Sequence, residues 1–298
     1  MPSTLLASAL LGSAAFALLA TSIASAAEKV DIPKLMFRPS VNLVLSVADV
    51  EKSKAFYGEV LDLKPMSNLN LPGGFVMTRY QVGTSEIKLL KSGATQKTET
   101  GKVDEAIGIR RLTLFFRDAK GLADRFKAHG LPAPQFETEP AARGWTRAIA
   151  SDPDSNEIEL VIPAAAAPEG VFNNIELRLT VGDVEKSRTF YRDFVGFEEL
   201  KPAEGAKLFG YRHGNTTILL GSFGATLPRH SGRWEKAHGM RYIQYIVSDL
   251  DAVSDFAKAS GVTIDQPIFP LGKLARIMFI ADPDGIINEF VGLPKAAK

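Results

Sequence analysis

Cysteine is absent from the 298 residues. That excludes disulfides, thiolate metal ligands, a cysteine nucleophile and a lipoprotein anchor, and it is compatible with an oxidising compartment. A surplus of either charge is also absent: 35 Lys+Arg against 34 Asp+Glu leave a net charge of +1. Nothing electrostatic therefore points to nucleic acid or to an anionic membrane surface. No glycine-rich phosphate loop follows a strand pattern, and no Ser-His-Asp arrangement stands out. Beyond the first twenty residues, no stretch is long and apolar enough to cross a bilayer. Histidine is scarce. His129 before Gly130 reads as a helix C-cap, and His213 before Gly214-Asn215 as an exposed hairpin turn.

The chain opens on what reads as an export signal. Leu5 to Ala20 is almost wholly apolar, and Ala24-Ser25-Ala26 is a small-x-small cleavage site. The segment departs from the usual pattern in carrying no Lys or Arg near Met1. Residues 1–26 are expected to be removed, leaving a periplasmic or secreted protein with no membrane attachment. Residues 27–40 form a lead-in with two prolines. The remaining length suits two domains, and 45% hydrophobic with 23% charged residues is a globular composition.

A long internal repeat organises the rest. Asp49-Val50-Glu51-Lys52-Ser53 followed by Phe56-Tyr57 returns as Asp183-Val184-Glu185-Lys186-Ser187 followed by Phe190-Tyr191. Each copy is preceded by a period-two apolar run, Leu43-Leu45-Val47 and Leu177-Leu179-Val181, which reads as a half-buried strand. Asp49 and Asp183 are helix N-caps. Each copy then restarts with a second alternating run ending in Asp118 or Asp249, continues into a helix pattern, and closes on Asp-Pro-Asp at 152–154 and 282–284, leading to Glu159 and Glu289. A repeat of this size is a duplicated domain. Four strand-helix-strand units, two per copy, predict an α+β architecture.

These openings and closings resemble the vicinal oxygen chelate superfamily, which includes glyoxalase I, bleomycin- and fosfomycin-resistance proteins, extradiol dioxygenases and methylmalonyl-CoA epimerase. The resemblance implies tandem glyoxalase-like domains at 41–163 and 172–293, joined by a linker at 164–171. Each domain would comprise two βαβββ units forming a curved mixed sheet around a cleft. It also implies a metal held by the first, restart and last strands. By position, the first domain offers Asn42, Lys88, Arg111 and Glu159, and the second Glu176, Leu219, Tyr242 and Glu289. None of the eight is a histidine, which argues against iron-dependent oxygen chemistry. Lys88 and Arg111 bring fixed positive charge to the first cleft.

The second cleft is therefore the expected site. Alternation puts Glu176, Arg178 and Thr180 on one face and Tyr242, Gln244 and Ile246 on another facing the same space. Glu289 is assigned as general base or metal ligand, Glu176 as its partner, and Tyr242 as proton donor or oxyanion stabiliser. Arg178, Gln244, Arg233, Trp234 and His238 are assigned to substrate binding. Two readings of the carboxylates stay open: one divalent ion held by Glu176 and Glu289, or a metal-free pair whose proximity raises one pKa. The expected activity is lyase- or isomerase-type chemistry on a small oxygenated metabolite. The alternative is a metal-free binder of bleomycin-resistance type, and a weaker one is a divergent metal-dependent dioxygenase. The expected partner is a small-molecule ligand, in a monomer or homodimer.

Overall fold

The computed structural model of the chain describes residues 30–91, 97–98, 101–138, 144–202, 207–224, 226–229, 235 and 237–295. The export segment 1–26, together with Arg233 and Trp234, lies outside these residues. A short helix α1 (Ile32–Leu35) precedes four similar units. The first is β1 (Asn42–Val47), helix α2 (Val50–Lys54), β2 (Lys64–Asn70), β3 (Val76–Val82) and β4 (Ser85–Lys91), followed by the two-residue β5 (Lys97–Thr98). The second is β6 (Gly108–Phe115), α3 (Ala119–Ala128), β7 (Glu137–Thr138), β8 (Thr146–Ser151) and β9 (Glu157–Ile162). The third is β10 (Ile175–Thr180), α4 (Val184–Thr189), β11 (Glu198–Glu199), β12 (Phe209–His213) and β13 (Thr216–Gly221). The fourth is β14 (Ala237–Val247), α5 (Leu250–Ser260), β15 (Thr263–Leu271), β16 (Ala275–Ala281) and β17 (Ile287–Gly292).

The α+β architecture with mixed sheets is as expected, but the partnering of units is not. One sheet runs β15-β16-β17-β14-β1-β4-β3-β2, so the first unit joins the fourth. The other runs β11-β12-β13-β10-β6-β9-β8-β7, so the second joins the third. Each sheet thus draws one unit from each repeat, through antiparallel seams at β1–β14 and β6–β10. A cavity lined by residues of the first sheet therefore draws its walls from both repeats.

The repeat motifs act on the helix side. Asp49 Oδ1 accepts from the N–H groups of Glu51 and Lys52, and Asp183 and Asp249 cap α4 and α5 in the same way. Both Phe-Tyr helices finish in a π-turn, at Ala55–Val60 and Phe190–Phe194. Buried Tyr57 donates to Asp152 at 2.8 Å, and Tyr191 to Asp282 at 3.2 Å. The second aspartate of each closing accepts from the backbone of the opening: Asp154 from Ala48, Asp284 from Gly182. Leu43, Leu45, Leu177 and Leu179 pack with these helices in one apolar core. Removing a cap at Asp249 with Ala should lower Tm by roughly 2–4 °C, read by thermal unfolding, because it orphans the Ala252 N–H in the first turn of α5.

The lead-in is more ordered than its composition suggests. Ile32 is fully buried, and the Phe37 N–H donates to the Ile246 carbonyl while the Ser248 N–H donates to the Leu35 carbonyl, which ties residues 35–37 to the end of β14. The turn at Gly214 explains part of this. A side chain there would meet the Pro39 carbonyl oxygen at 1.8 Å, and φ is +55°. His213, expected to be exposed, is instead half-buried and stacked on Phe197 with ring centroids 5.2 Å apart. His129 caps α3 as expected, its Nδ1 2.9 Å from the Arg125 carbonyl.

Candidate functional site

Register places the site on the outer face of the first sheet. Asn42 lies opposite Gln244 across β1–β14, and Gln244 lies beside Glu289 across β14–β17. Leu43 lies beside Ile87 in the parallel β1–β4 pair, so Asn42 is next to Glu86, whose N–H donates to Asn42 Oδ1 at 2.9 Å. Two amides and two carboxylates therefore form a pseudo-symmetric set, one of each kind from the first and fourth units. All four are buried.

Lys88 reaches into this set. Its ammonium donates to Gln244 Oε1 at 2.5 Å and lies 3.3 Å from Glu86 Oε2. Asn42 also donates to Gln244 Oε1, at 3.0 Å, and Gln244 donates to Glu289 Oε2 at 2.6 Å. Arg38 and Arg79 each bind one oxygen of Glu86 at 3.2 Å, so that carboxylate holds three cations. Burial lowers the Lys88 pKa, against the pull of Glu86 and Glu289. Burial also pushes Glu289 up to about 7, while the Gln244 hydrogen bond and Lys88 hold it down. Tyr242 is raised well above the usual phenol range by burial and by the neighbouring carboxylates Glu289 and Glu235. A desolvated carboxylate with a pKa near neutrality is what proton transfer requires.

Above this polar floor opens a cavity of about 590 Å³. Its walls are apolar, with Leu69, Leu71, Met77, Leu90, Phe269, Ile277 and Phe279 among them, and Phe75, Leu274 and Leu293 stand exposed at the rim. Arg79, Glu86, Lys88, Tyr242, Gln244 and Glu289 face it. Tyr242 packs edge-on to Phe279, which fixes its ring at the boundary between floor and wall.

The corresponding face of the second sheet is differently furnished. Glu176 lies opposite Thr113 and beside Thr217, and Thr113 donates to Glu159 at 2.7 Å. Arg111 binds Glu157 at 3.1 Å and, with Arg147, Glu159. Arg178 is the cross-strand partner of Arg111, and its pKa falls to about 10, first through burial and then through Arg111. Guanidinium groups thus occupy this face.

The predicted site residues are therefore divided. Glu289, Tyr242 and Gln244 come together in the cavity, whereas Glu176 and Arg178 are on the second sheet. The expected pairing of Glu176 with Glu289, for a metal or for acid–base work, is corrected on this ground: β10 and β17 belong to different sheets. His238 is buried but does not line the cavity. An extra residue at Arg241 shifts the register so that Leu45 faces Met240, a member of the interior core, and His238 follows Met240's parity. Glu86 went unrecognised in the sequence, although Glu86 and Lys88, two charges on one face of an apolar strand, were its signal. The restart-strand position opposite Asn42 is Gln244, two residues on from the expected Tyr242.

A metal ion, which the family resemblance implies, does not fit either arrangement as it stands. On the first sheet the Lys88 ammonium already lies among the donors, and on the second arginines take the space. Among the described residues no group of three or more His, Asp or Glu converges as a ligand set.

A profile of the Glyoxalase/Bleomycin resistance protein/Dioxygenase superfamily matches residues 40–160 and 173–290. The chain belongs to this superfamily. It is 30% identical over 122 residues to a lactoylglutathione lyase of Haemophilus influenzae, covering 38% of this chain and 87% of that protein. It is 22% identical over 276 residues to a lactoylglutathione lyase of Arabidopsis thaliana, covering 88% and 94%. The crystal structure of glyoxalase I from Zea mays superposes with a TM-score of 0.64 at 21% identity, over 88% of this chain and 95% of that one. At that identity the superposition shows the shared fold.

Proposed function

We propose that the chain is an acid–base enzyme of lyase or isomerase type, acting on a small oxygenated molecule in the first-sheet cavity. The observation that carries this is Glu289, buried at the cavity floor, raised to about 7 by burial and flanked by Lys88 and Tyr242. Glu289 takes a proton from a carbon next to a carbonyl, and the electron pair moves onto the carbonyl oxygen. The Lys88 ammonium and the Tyr242 hydroxyl stabilise that oxyanion in a site sheltered from water. Where the deprotonated carbon bears a hydroxyl, that hydroxyl loses its proton and becomes the new carbonyl while the former carbonyl carbon and its oxygen take up protons, which gives an isomer. Loss of a leaving group from the carbon on the other side gives elimination. The lactoylglutathione lyases among the relatives support the reaction class. The apolar walls favour a substrate with an apolar body and a compact oxygenated head.

The test is ²H uptake from D₂O followed by NMR, with lactoylglutathione and a panel of 2-hydroxy and 2-oxo compounds. Protein-dependent exchange at the carbon beside the carbonyl is expected. Tight binding without exchange across the panel would instead support a sequestering role, which the apolar walls also favour. We further propose export, supported by the N-terminal apolar run, and a monomeric state, supported by all four units finding sheet partners within one chain.

A further inference from the structure

We infer that the Lys88 ammonium is a tethered substitute for a metal ion, filling a cation position built by Glu86, Gln244 and Glu289. The inference rests on the cavity floor as the working site, but not on proton transfer at Glu289. The oxygens are hard ones of the kind that hold divalent ions: Glu86 and Gln244 touch the ammonium, and the Glu289 carboxylate on the pseudo-equivalent strand, bonded to Gln244 at 2.6 Å, acts on it through its charge. Lys88 is 3% exposed, and its ammonium is 2.5 Å from Gln244 Oε1 and 3.3 Å from Glu86 Oε2. Burying an ammonium requires matched acceptors, and here the acceptors come from both halves of the chain. The position equivalent to Lys88 in the second sheet is Leu219, so the lysine is a feature of the first sheet alone. A covalently held cation keeps the electrostatic pull on a substrate oxygen, cannot be lost to chelators and leaves no place for a divalent ion. The first sheet is thus a cation site that carries its own cation.

The experiment uses the mature wild-type protein and Lys88→Ala, each titrated with Mn²⁺, Ni²⁺ or Zn²⁺ by calorimetry and followed by Tm. Wild type is expected to show no Glu289-dependent metal binding. K88A is expected to gain one site per chain, lost at least tenfold in K88A/E289Q. Because Arg79 also holds Glu86, K88A/R79M should bind at least tenfold more tightly than K88A. Propylammonium, which restores the missing charge, should raise the K88A Tm and leave wild type unchanged. A wild-type site abolished by E289Q overturns the inference, since Lys88 would then not exclude metal. So does a folded K88A that takes up neither metal nor propylammonium. A K88A chain that folds only when metal or propylammonium is added supports it, and one rescued by neither overturns it. Deuterium exchange separately reads the reaction proposed above, so failure of one idea leaves the other visible.

Discussion

Glu289→Gln is expected to abolish ²H exchange, lowering turnover by roughly 10²–10⁴-fold while ligand affinity changes only a few-fold. The replacement keeps the side chain's shape and an oxygen to accept from Gln244, which now donates at 2.6 Å, so binding survives while the base is lost. The pH profile carries a second signature. In wild type the rate should rise with an apparent pKa of about 7 as Glu289 ionises, and this limb should vanish in E289Q. In Lys88→Met the limb should move to higher pH, because Lys88 is one of the groups holding Glu289 down. Stability should move the opposite way to activity. Folding raises the pKa from its ordinary 4.5, so the neutral carboxyl is favoured in the fold. The contribution is fully present below about 4.5 and lost as pH rises through about 7. E289Q should therefore match wild type in acid and exceed it at pH 8, by at most about 3 kcal/mol. Urea unfolding of both proteins across this range reads the difference. A variant equally active at pH 8, or no more stable there, removes Glu289 from the role of base.

The difference between what the sequence disclosed and what it withheld follows from the range of the interactions. The period-two runs, the aspartate caps and the closings are short patterns: both runs form strands, although β1 is buried along its whole length and not on one face only, and Asp49 and Asp183 accept helix N–H groups where their positions predict. Alternation also put Tyr242 and Gln244 on one face correctly, and the resemblance supplied Asn42 and Glu289 beside them. It could not say which strand lies beside which, because the β1–β14 seam joins residues about 200 positions apart and is backbone pairing, blind to side-chain type. That is why Glu176 was set beside Glu289, and Lys88 among Arg111 and Glu159, when the fold exchanges these partners. His238 illustrates a second limit. One inserted residue at Arg241 reverses the parity of everything before it in β14, and a bulge has no fixed residue signature. Glu86 was readable in principle: Glu86 and Lys88 alternate in a strand whose other members are mostly apolar, and two buried charges on one face imply a mutual need.

Asp282→Ala should be the most damaging single change on the helix side, costing about 3–6 kcal/mol as three buried donors lose their acceptor. Asp282 is 3% exposed, and its Oδ1 accepts from the N–H groups of Asp284 and Ile286 at 2.9 and 2.8 Å. Its Oδ2 accepts from Tyr191, whose ring is fully buried. Alanine leaves two backbone amides and a phenol without partners in the interior, whereas Asp282→Asn keeps one acceptor oxygen and should cost much less. Asp152→Ala in the first repeat removes a comparable set, from Tyr57, Asp154 and Asn156, and should destabilise similarly. The two should differ at the cavity. Asp282 fixes the turn that launches β17, seven residues before Glu289, whereas Asp152 launches β9 in the other sheet. Under conditions where both variants remain folded, D282A should therefore lose ²H exchange and shift the Glu289-dependent pH limb, while D152A should keep both. Equal loss in the two variants would mean that the closings serve only stability; a selective loss in D282A ties the repeat motif most visible in the sequence to the placement of the proposed base.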